Sequence, residues 1–169
     1  MKLKVEELNS SVQKLGEMIK DIKIAMLTTS NSEGKVHSRP MMTQEIEFDG
    51  DLWFFTSISS GKMFELESSQ EVNVAYSSPE HSRYVSVSGQ AEVVRDRAKA
   101  EELWNPLYKT WFKQGLEDPD LVLLKVKVDS AEYWDSAGGP VGTLLRFAKG
   151  MLTGDMGKVG ENKKIEIHH

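Results

Sequence analysis

The stretch Leu52-Trp-Phe-Phe-Thr-Ser-Ile-Ser-Ser-Gly-Lys62 decides the predicted fold, because two kinds of periodicity meet within it. Residues 52–56 are apolar on both faces, which is typical of a strand in the middle of a sheet. A short helix is predicted directly after them, with a hydroxyl of Ser59 or Ser60 as its N-cap. The sequence therefore predicts a central strand that runs straight into the start of a helix.

Further strands are predicted on both sides of this stretch. Asp49-Gly50 has the composition of a tight hairpin turn, since both central residues of such a turn need positive φ. Gly89 interrupts a later strand at a point where a β-bulge would bend a barrel. About six strands follow one another, mostly without helices between them, which favours an antiparallel sheet. We predict a mainly β fold, a six-stranded antiparallel split barrel with α-helices.

Segments of different character flank the predicted barrel. Apolar residues from Val5 to Ile22 recur at helical spacing. Seven of the 13 glycines lie between Gly138 and Gly160. We predict one domain over residues 1–169, made of an N-terminal helix, a barrel with helical insertions and a glycine-rich C-terminal arm, over 1–22, 23–136 and 137–169.

The composition excludes several classes of function. The chain has 169 residues, of which 39% are hydrophobic, and this is enough to bury a core. A net charge of -5 argues against binding to nucleic acid. The absence of cysteine excludes disulfides, thiol nucleophiles and thiolate metal sites, and the four histidines lack metal-ligand spacing. No apolar run reaches the length of a membrane span, so we expect a cytoplasmic protein with no membrane partner.

Residues 38–42 and 54–62 contain the groups most suited to binding a ligand. They supply a guanidinium, three hydroxyls and an ammonium near a helix start, from Arg39, Thr56, Ser57, Ser60 and Lys62. Helix N-termini and arginine side chains both favour phosphate. The same residues also suit a solvated strand-to-helix turn, and composition alone leaves the two interpretations equal.

Three aromatic residues form a second pattern. Trp104, Tyr108 and Trp111 recur at i, i+4 and i+7 in a predicted helical segment. This spacing favours a place in the core or at an interface over a place in a cofactor pocket.

The order of the motifs resembles the pyridoxamine-phosphate-oxidase-like flavin split barrels, and within them the general stress protein branch. The resemblance spans roughly residues 10–147 and rests on Ser38-Arg-Pro-Met41, Phe54-Phe-Thr-Ser57, Ser60-Gly-Lys62, Val85-Ser-Val-Ser-Gly-Gln-Ala91 and Tyr133-Trp134. It implies an FMN site at the interface of a homodimer.

The resemblance also implies roles for individual residues. The FMN phosphate and ribityl chain are held in that family at positions that match Arg39, Thr56, Ser60 and Lys62. The isoalloxazine ring lies beside positions that match Pro40, Met41, Phe55 and Ser57. An aromatic residue of the partner subunit matches Trp134, for which a core position at the end of the barrel is the alternative.

The chain departs from the true oxidases where those enzymes hold the phosphate of their vitamin substrate. Gly61, Thr43 and Gln44 stand at or near positions that are basic in the oxidases, and residues 135–146 contain one basic residue and no histidine. We therefore expect no oxidase activity on pyridoxine phosphate. The expected function is a flavin-dependent oxidoreductase with a small-molecule electron donor or acceptor and no assigned catalytic residue. A non-catalytic flavin-binding stress protein and a split barrel that binds haem or a deazaflavin are the alternatives.

Overall fold

The structure is a computed structural model, and it describes residues 2–135 and 161–167. The strands are β1 Ile24–Ser30, β2 Val36–Met42, β3 Asp51–Ser57, β4 Glu71–Ser78, β5 Arg83–Val94, β6 Leu121–Asp135 and β7 Glu161–Glu166. The α-helices are α1 Lys2–Ile19, α2 Gly61–Ser68 and α3 Arg97–Leu103. Short 3₁₀ helices follow at Pro79–His81, Pro106–Thr110 and Gly115–Glu117. No helix in the described ranges has the length and apolar character needed to cross a membrane.

All strand pairs are antiparallel, and the strand order is β2-β1-β4-β5-β6-β3. The six predicted strands and the split-barrel fold are confirmed. The tight hairpin turn predicted at Asp49-Gly50 is wrong, because β3 pairs with β6 and not with the strand before it, and only Gly50 has positive φ. β7 is an addition that the sequence did not predict, because its charged residues lie in the glycine-rich arm. It pairs with residues 130–135 of β6, while β3 pairs with residues 121–127 of the same strand.

The predicted bulge at Gly89 is confirmed. The register between β5 and β6 shifts between Ser88 and Gly89. A Cβ atom at Gly89 would collide with the carbonyl oxygen of Lys127 in β6. A bulge increases the local twist of the strand pair, and this helps the sheet to curl.

The core lies inside the curled sheet, where α1 closes it. Leu15 of α1 and Leu27, Val74, Val87 and Val126 of the sheet are fully buried. A second, smaller cluster lies on the opposite face of β3, under α3 and the segment that follows it, and consists of Phe55, Ala100, Leu103, Tyr108, Phe112 and Leu123. β3 is therefore buried on both faces, as its sequence predicts.

Replacement of Gly89 by alanine should destabilise the fold, because neither β5 nor β6 can move its backbone away without loss of ladder hydrogen bonds. We expect Gly89→Ala to lower the free energy of unfolding by about 2–4 kcal/mol. Gly61→Ala is the matched control, since a Cβ there meets nothing within 4 Å. Urea unfolding of both variants measures the difference, and equal stabilities would contradict the close contact.

Candidate functional site

A cavity of about 520 Å³ lies where the barrel is split, between β2 and β3. These two strands are the ends of the strand order, and no ladder joins them within the described ranges. The volume falls in the usual range for a small-molecule site. The lining residues come from β1, β2, β3, α2 and residues 108–120, and are Ile24, Pro40, Met41, Met42, Phe55, Thr56, Ser57, Lys62, Tyr108, Trp111, Phe112 and Asp120.

Six of the nine residues that the resemblance assigned to the cofactor line this cavity, namely Pro40, Met41, Phe55, Thr56, Ser57 and Lys62. Ser60 adjoins it through a contact with Lys62. Arg39 of β2 and Trp134 of β6 are not among the lining residues.

Lys62 places an ammonium in the cavity wall. Its Nζ atom donates to Oγ1 of Thr56 at 2.7 Å and to Oγ of Ser60 at 3.1 Å. Among the residues that the structure describes, no carboxylate lies within ion-pair distance of Lys62. Burial lowers the pKa of Lys62, and the nearby Arg39 charge lowers it further. A partly desolvated cation that is held only by hydroxyls favours the binding of an anion.

The start of α2 lies beside the same cation. Ser60 occupies the N-cap position with extended backbone angles, as predicted, but its side chain makes no capping hydrogen bond. The hydroxyl oxygen accepts from Lys62 instead. The first amides of a helix have no acceptor within it, so those of Gly61 and Lys62 add further donors beside this cation.

Arg39 belongs to a neighbouring polar cluster. Its Nη1 atom donates to the hydroxyl of buried Thr29, and its Nη2 atom donates to Oε2 of Glu65 at 2.7 Å. Glu65 also accepts from the Thr29 hydroxyl, and its Oε1 atom lies 2.6 Å from Nδ1 of His37. The pKa of Glu65 is lowered to about 2, mainly by the hydrogen bond from the Thr29 hydroxyl. The contacts with His37 and Arg39 lower it further.

Ser57 is bound to an acidic residue that the sequence did not single out. Its hydroxyl donates to the carboxylate of Asp120, which also accepts from the backbone amide of Ser59 at 3.0 Å. The hydrogen bond from Ser57 is the main cause that lowers the pKa of Asp120. Asp120, the residue that precedes β6, therefore fixes the turn between β3 and α2.

An aromatic wall faces the cavity from the segment after α3. Tyr108 packs against Phe55 with 4.6 Å between ring centroids, and Trp111 lies 6.4 Å from Tyr108. The sequence favoured core or interface positions for Trp104, Tyr108 and Trp111, and Tyr108 is buried in the second cluster, with Trp104 packed against it. Tyr108 and Trp111 also line the cavity. The predicted helical segment is interrupted after α3, and a 3₁₀ helix follows at Pro106–Thr110. This 3₁₀ helix and the residue after it carry the rings of Tyr108 and Trp111.

Trp134 lies opposite Tyr84 of β5 on the outer face of the sheet. Its side chain is 40% exposed, so the alternative of a core aromatic does not hold.

Comparisons with known proteins identify the family. The sequence profile of the family described as "Pyridoxamine 5'-phosphate oxidase like" matches residues 10–158. The chain belongs to this family. It is 32% identical over 168 aligned positions to protein bli-3 of Neurospora crassa, and the match covers 94% of this chain and 80% of that protein.

Crystal structures of relatives agree with the fold. The structure assigned to general stress protein 26 of Jannaschia sp. CCS1 has a TM-score of 0.77 at 25% identity, and the match covers 95% of this chain and 99% of that one. The general stress FMN/FAD binding protein of Xanthomonas citri has a TM-score of 0.65 at 31% identity, with 75% and 89% covered. The resemblance to the general stress protein branch is confirmed.

Thr43 and Gln44, two of the positions at which this chain departs from the oxidases, make hydrogen bonds within the chain. The Thr43 hydroxyl donates to the carbonyl of Ile22 at 2.6 Å, and the Gln44 amide donates to the Tyr108 hydroxyl at 2.7 Å. The third, Gly61, leaves the start of α2 without a side chain. Residues 136–160 lie outside the described residues. They include nearly all of the 135–146 stretch that departs from the oxidases and most of the predicted C-terminal arm.

The low pKa of Glu65 predicts a contribution to acid stability. Its pKa falls from near 4.5 to about 2 on folding, so its stabilisation is fully present above pH 4.5 and is lost as the pH falls towards 2. We expect wild type to lose about 2 kcal/mol more unfolding free energy than Glu65→Gln between pH 6 and pH 3. Urea unfolding at the two pH values measures this difference, and parallel losses would contradict the assignment.

Proposed function

We propose that this chain binds FMN in the cavity between β2 and β3 and works as a flavin-dependent oxidoreductase. The observation that carries the proposal is Lys62, a partly buried ammonium with hydroxyl partners at the start of α2, in the wall of a cavity of about 520 Å³. The flavin binding stated for the relative from Xanthomonas citri, at 31% identity, supports the same ligand class.

The residues of the cavity fit the parts of FMN. Lys62 and Ser60 suit a phosphate, and Thr56 suits the ribityl hydroxyls. Met41 and Phe55 offer an apolar wall for the planar ring. A single ammonium suits one phosphate group, which favours FMN over a dinucleotide.

The protein's part in the reaction is to bind and orient. A bound flavin supplies hydride and single-electron transfer, and the chain supplies its surroundings. Asp120 holds the turn that carries Ser57 and Ser60, so the donors around the phosphate keep their places. Tyr108, which is buried, and Trp111 line one side of the cavity.

The substrate is not the vitamin phosphate of the true oxidases. A phosphorylated substrate needs a second set of cations beside the flavin. Lys62 is the one cationic residue among the described residues that line the cavity. Once it binds the cofactor phosphate, no described lining residue provides a cation for a second phosphate.

A homodimer completes this site in our proposal. Apolar side chains of β1, β2, β4, β5 and β6 lie together on the outer side of the sheet. We call this set the apolar face, and it consists of Ile24, Met26, Pro40, Met42, Ala75, Tyr84 and Trp134. Ile24, Pro40 and Met42 of this apolar face also line the cavity, so a second copy seated there would cover the cavity mouth. Trp134 lies three strands from β1, about 14 Å across the sheet, and a twofold axis would bring it to the partner's cavity.

Loss of the Lys62 charge should weaken FMN binding. We expect Lys62→Ala to cost about 1.5–3 kcal/mol of FMN affinity through the lost phosphate contact, and to change riboflavin affinity little. Lys35→Ala is the control, because Lys35 is an exposed lysine paired with Glu33. Flavin fluorescence titration measures both affinities, and equal FMN affinity for wild type and Lys62→Ala would refute the phosphate site.

The same samples separate the enzyme from a flavin carrier. An absorption spectrum identifies the bound group, and a Soret band in place of flavin bands would refute the proposal. Reduction of the bound flavin by NADH or NADPH, with reoxidation by an added acceptor, supports turnover. Complete inertness to both nucleotides would favour the non-catalytic flavin-binding protein.

A charge in the apolar face should separate the subunits. We expect Met26→Glu to give a monomer that binds FMN at least about tenfold more weakly, because a buried unpaired carboxylate is costly. Val93→Glu is the control, since Val93 and Met26 are both 40% exposed and Val93 lies at the end of β5, away from the apolar face. Light scattering measures the mass, and a monomer with wild-type affinity would contradict the shared site.

A further inference from the structure

The guanidinium of Arg39 already has an anionic partner. Both of its terminal nitrogens have acceptors, the Thr29 hydroxyl and Oε2 of Glu65. The side chain of Glu65 is only 13% exposed, and Arg39, Thr29 and His37 surround its carboxylate. Arg39 is therefore held in place by a carboxylate before any ligand arrives.

The same carboxylate is coupled to the cation in the cavity wall. Lys62 and Glu65 lie three residues apart on α2, and residues at this spacing share one face of a helix. Burial is the main cause of the lowered pKa of Lys62, and the Arg39 charge is the second. The Glu65 charge acts in the opposite direction and raises this pKa. The three charges thus act on one another across the wall of the cavity.

We infer that the Glu65 carboxylate competes with the ligand phosphate for Arg39, so that the site holds its flavin in an exchangeable form. The inference rests on the proposed function, because the phosphate in question is that of FMN. Glu65 limits affinity in two ways. It accepts one N–H of the guanidinium and offsets its positive charge, and it places a negative charge next to the phosphate.

The balance of charge supports this competition. Arg39, Lys62 and Glu65 together carry one net positive charge, whereas a phosphate monoester carries about -1.5 to -2 at pH 7. Arg39 has five N–H donors, of which Thr29 and Glu65 accept two, so a phosphate that binds Arg39 shares the guanidinium with the Glu65 carboxylate. A site with the arginine and lysine alone would meet the phosphate with two positive charges.

Glu65→Gln tests the inference, since glutamine keeps the size and an acceptor oxygen but removes the charge. The dissociation constants of FMN and riboflavin are measured at pH 7 by flavin fluorescence. We expect the FMN constant to fall about tenfold, with slower release, and the riboflavin constant to change less than about twofold because riboflavin has no phosphate. The control is Glu67→Gln, on the exposed side of the same helix, which should leave both constants unchanged.

A double-mutant cycle with Arg39→Met shows whether the effect passes through the guanidinium. Most of the tightening by Glu65→Gln should disappear in the Arg39→Met background. Thr29→Val is a second route if Glu65→Gln does not fold. It keeps the side-chain shape and removes the hydroxyl that accepts from Arg39 and donates to Glu65, so the freed N–H of Arg39 should tighten FMN binding by about twofold to threefold.

An unchanged or weaker FMN affinity in folded Glu65→Gln would overturn the inference while leaving the proposed function intact. If neither wild type nor the variant binds FMN, the proposed function fails. The inference is then decided with inorganic phosphate alone. The melting temperature of Glu65→Gln should rise more steeply with phosphate concentration than that of wild type, and equal slopes overturn the competition.

Discussion

The contact between Gly89 and the carbonyl of Lys127 is the constraint on which the curl of the sheet depends. It lies in the β5–β6 pair, the joint between the β2-β1-β4 half of the strand order and β3. Added twist at that joint turns the two end strands towards each other. In a flat sheet β2 and β3 would lie at opposite edges, and their side chains would share no cavity. The candidate site is therefore first a result of the shape of the sheet.

α2 turns this gap into a charged site, because Lys62 and Glu65, two of its three ionic residues, reach different strands. Lys62 donates to Thr56 of β3, while Glu65 binds Arg39 of β2 and Thr29 of β1. One helix thus connects both sides of the split through polar contacts. The turn before this helix is held by Asp120, and the Ser60 side chain makes no capping hydrogen bond.

Local pattern was enough to predict the strands, the bulge at Gly89 and the hydroxyls around Lys62, since each depends on neighbours in sequence. The pairing of Arg39 with Glu65 was not predictable in this way. It joins residues 26 positions apart, and it exists only because β2 pairs with β1 in a register that places Arg39 opposite Leu27 and beside α2. Asp120 was missed for the same reason, because its role depends on where β6 begins.

The hairpin of β1 and β2 separates two tasks by the alternation of its side chains. Along β2, Arg39 and Met41 face the side of the helix and core, while Pro40 and Met42 face outward. The outward residues join Met26 in the apolar face and also line the cavity. Of the inward residues, Arg39 contacts Glu65 of α2 and Met41 lines the cavity. Because successive side chains of a strand point to opposite faces, a substitution in the apolar face leaves the charges of Arg39, Lys62 and Glu65 unchanged. Effects of Met26→Glu and Glu65→Gln should therefore differ in kind. The first acts through assembly and on any flavin, and the second acts only on flavins that carry a phosphate.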